Sequence, residues 1–153
     1  MGKLLKQFAA LPVMETGGAL RVLLITSRVT HRWIIPKGHP EKGMQPSAVA
    51  LLEAREEAGV SGVISKMPIG CYRTQKCLPS GKQVPCEVTV FRLDVSEHIA
   101  QWKEPLERKI MWVPLSQAAA LADDGGLSQF LKRFDAAAKP KALSPTTERL
   151  TTS

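Results

Sequence analysis

Pro36 to Gly59 reads PKGHPEKGMQPSAVALLEAREEAG, a Gly/Pro-rich loop running into a helix whose last turns carry Glu53, Glu56 and Glu57. Pro46 is a favoured first helical residue and Gly59 a favoured stop, so the helix is expected to fill the interval between them. At about 100° per residue the three glutamates fall within an arc of roughly 100°, while Leu51, Ala54 and Ala58 face the other way. Like charges at these spacings repel, at roughly 0.2–0.5 kcal/mol per pair. Carboxylates late in a helix also oppose its dipole, so they are poorly explained as stabilisers. Water, a basic neighbour or a cation would relieve the crowding, and a hard divalent metal would serve.

Before this stretch, Phe8 to Met14 and Leu20 to Thr26 read as strands flanking a Glu15-Thr16-Gly17-Gly18 turn. The second is apolar on both faces, as a strand covered on both sides should be. Trp33-Ile34-Ile35 is a short strand stopped by Pro36. After the helix come one or two strands within Val63 to Thr74, a turn at Pro79-Ser80-Gly81, a long strand from Val84 to Val95, and a strand from Lys109 to Val113. Ser116 is expected to cap a short helix through Leu121, and Leu127 to Ala138 repeats apolar residues at helical spacing. Strands before, after and around one internal helix, with helices at the end, predict an α/β fold with a mixed β-sheet packed between helices. Residues 1–138 are expected to form one domain and residues 139–153 a disordered tail.

A net charge of +7 and a pI near 9.6 point to a polyanionic partner. Lys139, Lys141 and Arg149 against Glu148 place +2 in the tail, leaving +5 for the domain. Cys71, Cys77 and Cys86 are odd in number and form no CxxC pair, which argues against a disulfide framework or a zinc site and for a reduced, cytoplasmic protein. No apolar run reaches the roughly 18 residues of a membrane span, and the Lys3 to Val13 region has too short an apolar core for a signal peptide. No GxGxxG or Walker-type loop occurs, so phosphate chemistry must come from elsewhere.

Gly38, followed at the right distance by Glu53-Ala54-Arg55-Glu56-Glu57-Ala58-Gly59-Val60, resembles the Nudix box, GX5EX7REUXEEXGU with U aliphatic. Every position from Glu53 to Val60 fits, but the first Glu is replaced by Met44 and the Arg by Leu52. Arg32-Trp33-Ile34-Ile35-Pro36-Lys37-Gly38 before the box, and Trp102 with Arg108-Lys109-Ile110-Met111-Trp112 after it, resemble the diphosphoinositol polyphosphate and dinucleoside polyphosphate hydrolase branch. The resemblance covers about Val13 to Phe134. It implies a Nudix-type α/β/α sandwich and Mg²⁺-dependent hydrolysis of a phosphoanhydride, with Mn²⁺ as the alternative ion.

Carried over residue by residue, Glu53 and Glu57 are the main metal ligands, Glu56 a third ligand or a base acting through water, and the Gly38 carbonyl a further ligand. Such a set suits Mg²⁺, which takes oxygen ligands and keeps several waters. A base outside the box is expected among Glu97, Glu104 and Glu107, with Glu107 favoured. Arg28, Arg32 and Lys37 are the preferred phosphate contacts, with Arg21, Arg73, Lys82 and the flanking His31 and His39 as further candidates; each has a surface role as its plain alternative. Trp33 and Trp112 are read as core packing. In the family the missing Glu and Arg are expected to pair with each other, the Arg helping to orient the glutamate that follows it, so their joint replacement by Met44 and Leu52 would exchange an ion pair for apolar packing and leave Glu53 less constrained.

Three functions follow from these residues. The first is an enzyme acting on a small, highly anionic phosphorylated substrate. The second is a catalytically weakened Nudix domain that senses a nucleotide or polyphosphate. The third, action at an RNA 5′ end, rests only on net charge and ranks last; no other nucleic acid and no membrane is expected as a partner, and nothing in the residues specifies an oligomeric state.

Overall fold

In the computed structural model, which describes residues 4–28, 30–99 and 108–138, the expected hairpin opens the fold. Strand β1 (Leu5–Thr16) pairs antiparallel with β2 (Ala19–Thr26), Val13 opposite Val22 and Thr16 opposite Ala19. Gly17 and Gly18 make the two-residue turn at φ +60° and +82°, the left-handed backbone a tight hairpin demands. Short strands β3 (Trp33–Ile34) and β4 (Lys37–Gly38) follow.

Helix α1 (Pro46–Glu53) starts at the predicted proline but does not run as one regular helix. From Ala54 to Ala58 the chain forms a single π-helical turn, closed by Gly59 at φ +69°, whose N–H bonds the Ala54 carbonyl. Beyond it lie β5 (Val60–Ile64), β6 (Gly70–Cys77), β7 (Gln83–His98) and β8 (Ile110–Pro114), then helices α2 (Leu115–Leu121) and α3 (Gly125–Ala138).

The strands form one mixed sheet in the order β3-β2-β1-β7-β5, with β4 against β1, β6 against β7 and β8 against β2. β1 and β7 run parallel from Leu5–Cys86 to Val13–Asp94, and the other pairs are antiparallel. Period-two alternation sorts the apolar residues between two faces. Leu11, Val22, Leu24, Val88 and Val90 pack with Leu127, Phe130 and Leu131 of α3. Ala10, Leu23, Ile25, Phe91 and Leu93 pack with Ala50, Ala54 and Ala58 of α1 and its π turn. The fold is therefore an α/β/α sandwich. Each buried leucine or isoleucine contributes about 1.5–3 kcal/mol to it.

Two helix starts differ from expectation. α2 begins at Leu115 after Pro114, with no side-chain cap, so Ser116 lies inside the first turn. α3 begins two residues before Leu127, because Asp124 caps it: Asp124 Oδ1 accepts the Leu127 N–H at 3.1 Å. The strand expected from Val84 to Val95 runs longer and takes in Glu97, which sits exposed opposite Ser61. Glu104, Glu107, Trp102 and the tail 139–153 lie outside the described residues.

Candidate functional site

The π turn decides where the carboxylates point. An i→i+5 turn is wider than an α-turn and advances fewer degrees per residue, so Glu57 comes back over Glu53. The two carboxyls hydrogen-bond each other. Glu57 is fixed from two further sides: its Oε1 accepts the Lys37 backbone N–H at 3.1 Å, and its Oε2 accepts an Arg108 guanidinium N–H at 3.3 Å. Both members of that ion pair are largely buried, at 9% and 12% side-chain exposure for Arg108 and Glu57. Gly38 packs directly against Glu53, and a Cβ there would stand 2.7 Å from the Glu53 Cγ. Burial pushes the Glu57 carboxyl up to about 8, with Arg108 pulling it down and Glu53 pushing it further up.

Glu57 opens onto a cavity of about 290 Å³, lined on its cationic side by Arg28, Arg32, Lys37, Lys76 and Arg108, with Glu57 and Asp124 as its carboxylates. The 27–32 loop aims the two arginines. Ser27 N–H bonds the Arg32 carbonyl at 2.8 Å, the Arg32 N–H bonds Ser27 Oγ at 2.9 Å, and His31 takes the turn at φ +54°. Lys37 is held by the buried Gln7, whose Oε1 accepts its ammonium at 2.7 Å; burial lowers the Lys37 pKa. A second cavity of about 380 Å³ adjoins the first, sharing Arg32, Thr74, Gln75 and Asp124 and adding Arg73.

The NUDIX domain family model matches residues 4–134. The chain belongs to the Nudix family. Relatives include Nudix hydrolase 13, mitochondrial, of Arabidopsis thaliana, 31% identical over 124 residues, which are 75% of this chain and 59% of that protein. Human diphosphoinositol polyphosphate phosphohydrolase 3-alpha is 31% identical over 100 residues, covering 63% of this chain and 56% of that one. The chain thus spans a little over half the length of these curated relatives. Among solved structures, a Caenorhabditis elegans Ap4A hydrolase shares the fold at a TM-score of 0.63 and 22% identity, over 88% of this chain and 98% of that one.

The structure gathers the predicted residues unevenly. Glu53, Glu57 and Gly38 meet, and Arg28, Arg32 and Lys37 line the cavity beside them. Glu56 is half-buried on the same turn, yet among the described residues no three His, Cys, Asp or Glu side chains converge as a ready-made cage. Arg73 lines only the adjoining cavity and pairs loosely with Glu87 at 3.7 Å. His39 and Lys82 line neither; partial burial and then Lys76 and Lys37 lower the His39 pKa. Trp33 and Trp112 pack against the two cores, Trp112 edge-on to His98 at 5.9 Å.

Sequence reasoning missed Arg108, Lys76 and Gln7 as site residues. Lys76 had a legible signal, since it shares a face of β6 with Tyr72 and Thr74 at period two. Gln7 had none, because its partners Lys37 and Cys86 are brought to it by strand pairing across the sheet.

Nudix hydrolases use divalent metal ions, and the residues here fit one: two mutually crowded, partly desolvated carboxylates beside a backbone that has no side chain in the way. A consequence is readable without substrate. Glu57 binds its proton more tightly in the folded chain than at its ordinary value of 4.5, so that contribution to stability is complete below about pH 4.5 and is lost as pH rises through about 8. Calorimetry of the chelator-treated protein is expected to show a falling melting temperature between about pH 5 and 8, flattened by saturating divalent ion or by Glu57→Gln. An unchanged slope in Glu57→Gln would assign the pH dependence to other groups.

Proposed function

We propose that this Nudix chain hydrolyses a phosphoanhydride bond in a small, highly anionic substrate, a diphosphoinositol polyphosphate or a dinucleoside polyphosphate, with Mg²⁺ or Mn²⁺. The observation that carries this reading is the adjacency of the Glu53–Glu57 pair to a cavity with five cationic side chains. The name of the human relative, a diphosphoinositol polyphosphate phosphohydrolase, supports the substrate class.

Glu53 and Glu57, with the Gly38 carbonyl and Glu56, would hold the ion. Bound there, it supplies phosphate neutralisation and acidifies a water. The remaining work falls to the chain. Arg28, Arg32, Lys37 and Lys76 accept the substrate's charge and orient the phosphorus for in-line attack. Water adds to phosphorus, the P–O–P bond breaks, and the leaving phosphate departs with the electron pair. Glu107 is proposed as the base that takes the water proton, with Glu56 as its alternate. Arg73, in the adjoining cavity, would meet the far end of a long substrate.

A sensor function is the second reading, favoured by Met44 and Leu52 in place of the box Glu and Arg. Phosphate release from inositol pyrophosphates, dinucleoside polyphosphates, nucleotides and triphosphorylated RNA, with and without Mg²⁺ or Mn²⁺, separates the two. Ion-dependent release is the expected result, whereas tight binding without turnover would establish the sensor. As to compartment, Cys71, Cys77 and Cys86 are free thiols, which fits a reducing setting such as the cytoplasm; the Arabidopsis relative is named as mitochondrial. No helix among the described residues is long and apolar enough to cross a membrane.

A further inference from the structure

We infer that Arg108 is a positioning residue that, from outside the box, holds Glu57 in the orientation a metal ligand needs. The inference rests on the metal-site reading above.

Met44 and Leu52 stand where the family pattern has a Glu and an Arg, and the lysine and arginine that remain within the box, Lys42 and Arg55, are both exposed. Arg108 supplies a largely buried cation from two residues before β8. Its guanidinium spans two anchors, Nη1 donating to the Thr26 carbonyl at 3.0 Å and Nη2 to Glu57 Oε2 at 3.3 Å. The backbone beside it is pinned to the same residue: the Lys109 N–H bonds Thr26 Oγ1 at 2.8 Å, and the Thr26 N–H bonds the Lys109 carbonyl at 3.0 Å. Thr26 is 4% exposed at the end of β2, so the guanidinium hangs from the sheet interior rather than from a mobile surface. With the Lys37 N–H on Oε1, each oxygen of Glu57 then has one donor fixing it. A planar fork can bridge a carbonyl and a carboxylate in one rigid group; an ammonium of equal charge cannot hold that plane.

Groups that orient metal ligands typically change metal affinity or activity by about 10–100-fold when altered. Arg108→Lys is the informative variant because it keeps the charge and removes the fork. In the full chain without substrate, Mn²⁺ titration followed by electron paramagnetic resonance is expected to show affinity about 10-fold weaker for Arg108→Lys, and kcat is expected to fall with KM nearly unchanged. Unchanged Mn²⁺ affinity with a raised KM would overturn the inference and make Arg108 a direct phosphate contact. Glu57→Gln is titrated alongside: if it too binds Mn²⁺ like the parent, the metal-site reading falls and takes the inference with it, whereas loss in Glu57→Gln alone overturns only the role of Arg108.

Discussion

Glu57→Gln is expected to lower metal-dependent turnover on the order of 10³-fold while circular dichroism stays native. The substitution is isosteric; its single carboxamide oxygen can accept from either the Lys37 N–H or the Arg108 guanidinium, which bond separate oxygens of the present carboxyl, while its NH2 faces the other. What it removes is the charge. Glu57 is the box carboxylate that both touches Glu53 and lines the cationic cavity, so in the proposed metal site its charge would face the ion and the substrate together. Several kcal/mol of transition-state stabilisation depend on an ion in that place, and each 1.36 kcal/mol is tenfold in rate. Initial rates with saturating Mg²⁺ decide the matter. Activity within a few-fold of the parent would remove Glu57 from the chemistry.

Gly38→Ala is expected to cost about 100-fold in turnover without abolishing folding. The new Cβ would lie 2.7 Å from the Glu53 Cγ and collide with its carboxyl group as well. The backbone cannot retreat, because Gly38 pairs with Phe8 in the sheet, and Glu53 must therefore swing away. Gly38 is not at positive φ, so the effect comes from the lost space and not from backbone strain. Overpacking of this kind costs about 1–3 kcal/mol in stability. Denaturant melts should show that modest loss, with Mn²⁺ affinity falling in parallel; parent-like kinetics would mean that Glu53 tolerates displacement.

Much of this architecture could be read from residue patterns alone. Gly17-Gly18 between two apolar runs specifies a tight hairpin, and alternation along Ala9 to Val13 and Val22 to Ile25 specifies a sheet covered on both faces. Gly59 marks the helix end because only a left-handed residue closes it there. The π turn before it escaped, since five residues hold too little periodicity to separate i→i+5 from i→i+4 bonding. Asp124 escaped for a related reason. Its capping role is local, but Ser116 offered a competing cap to α2 that the Pro114-Leu115 start made unnecessary. At the site, the carboxylates and the cations near the box were legible as chemistry next to each other in the chain. Arg108, 51 residues from Glu57, was visible only as part of a family-like string, because its partner is chosen by the pairing of β8 with β2.

The central claim is that Glu53, Glu57 and the Gly38 carbonyl together hold a divalent ion at the mouth of the cationic cavity. Anomalous diffraction from crystals of the full chain soaked in Mn²⁺ tests it directly. The account predicts a manganese peak bounded by the Glu53 and Glu57 carboxylates and the Gly38 carbonyl oxygen. A peak elsewhere in the molecule, or none there at saturating Mn²⁺, would contradict it.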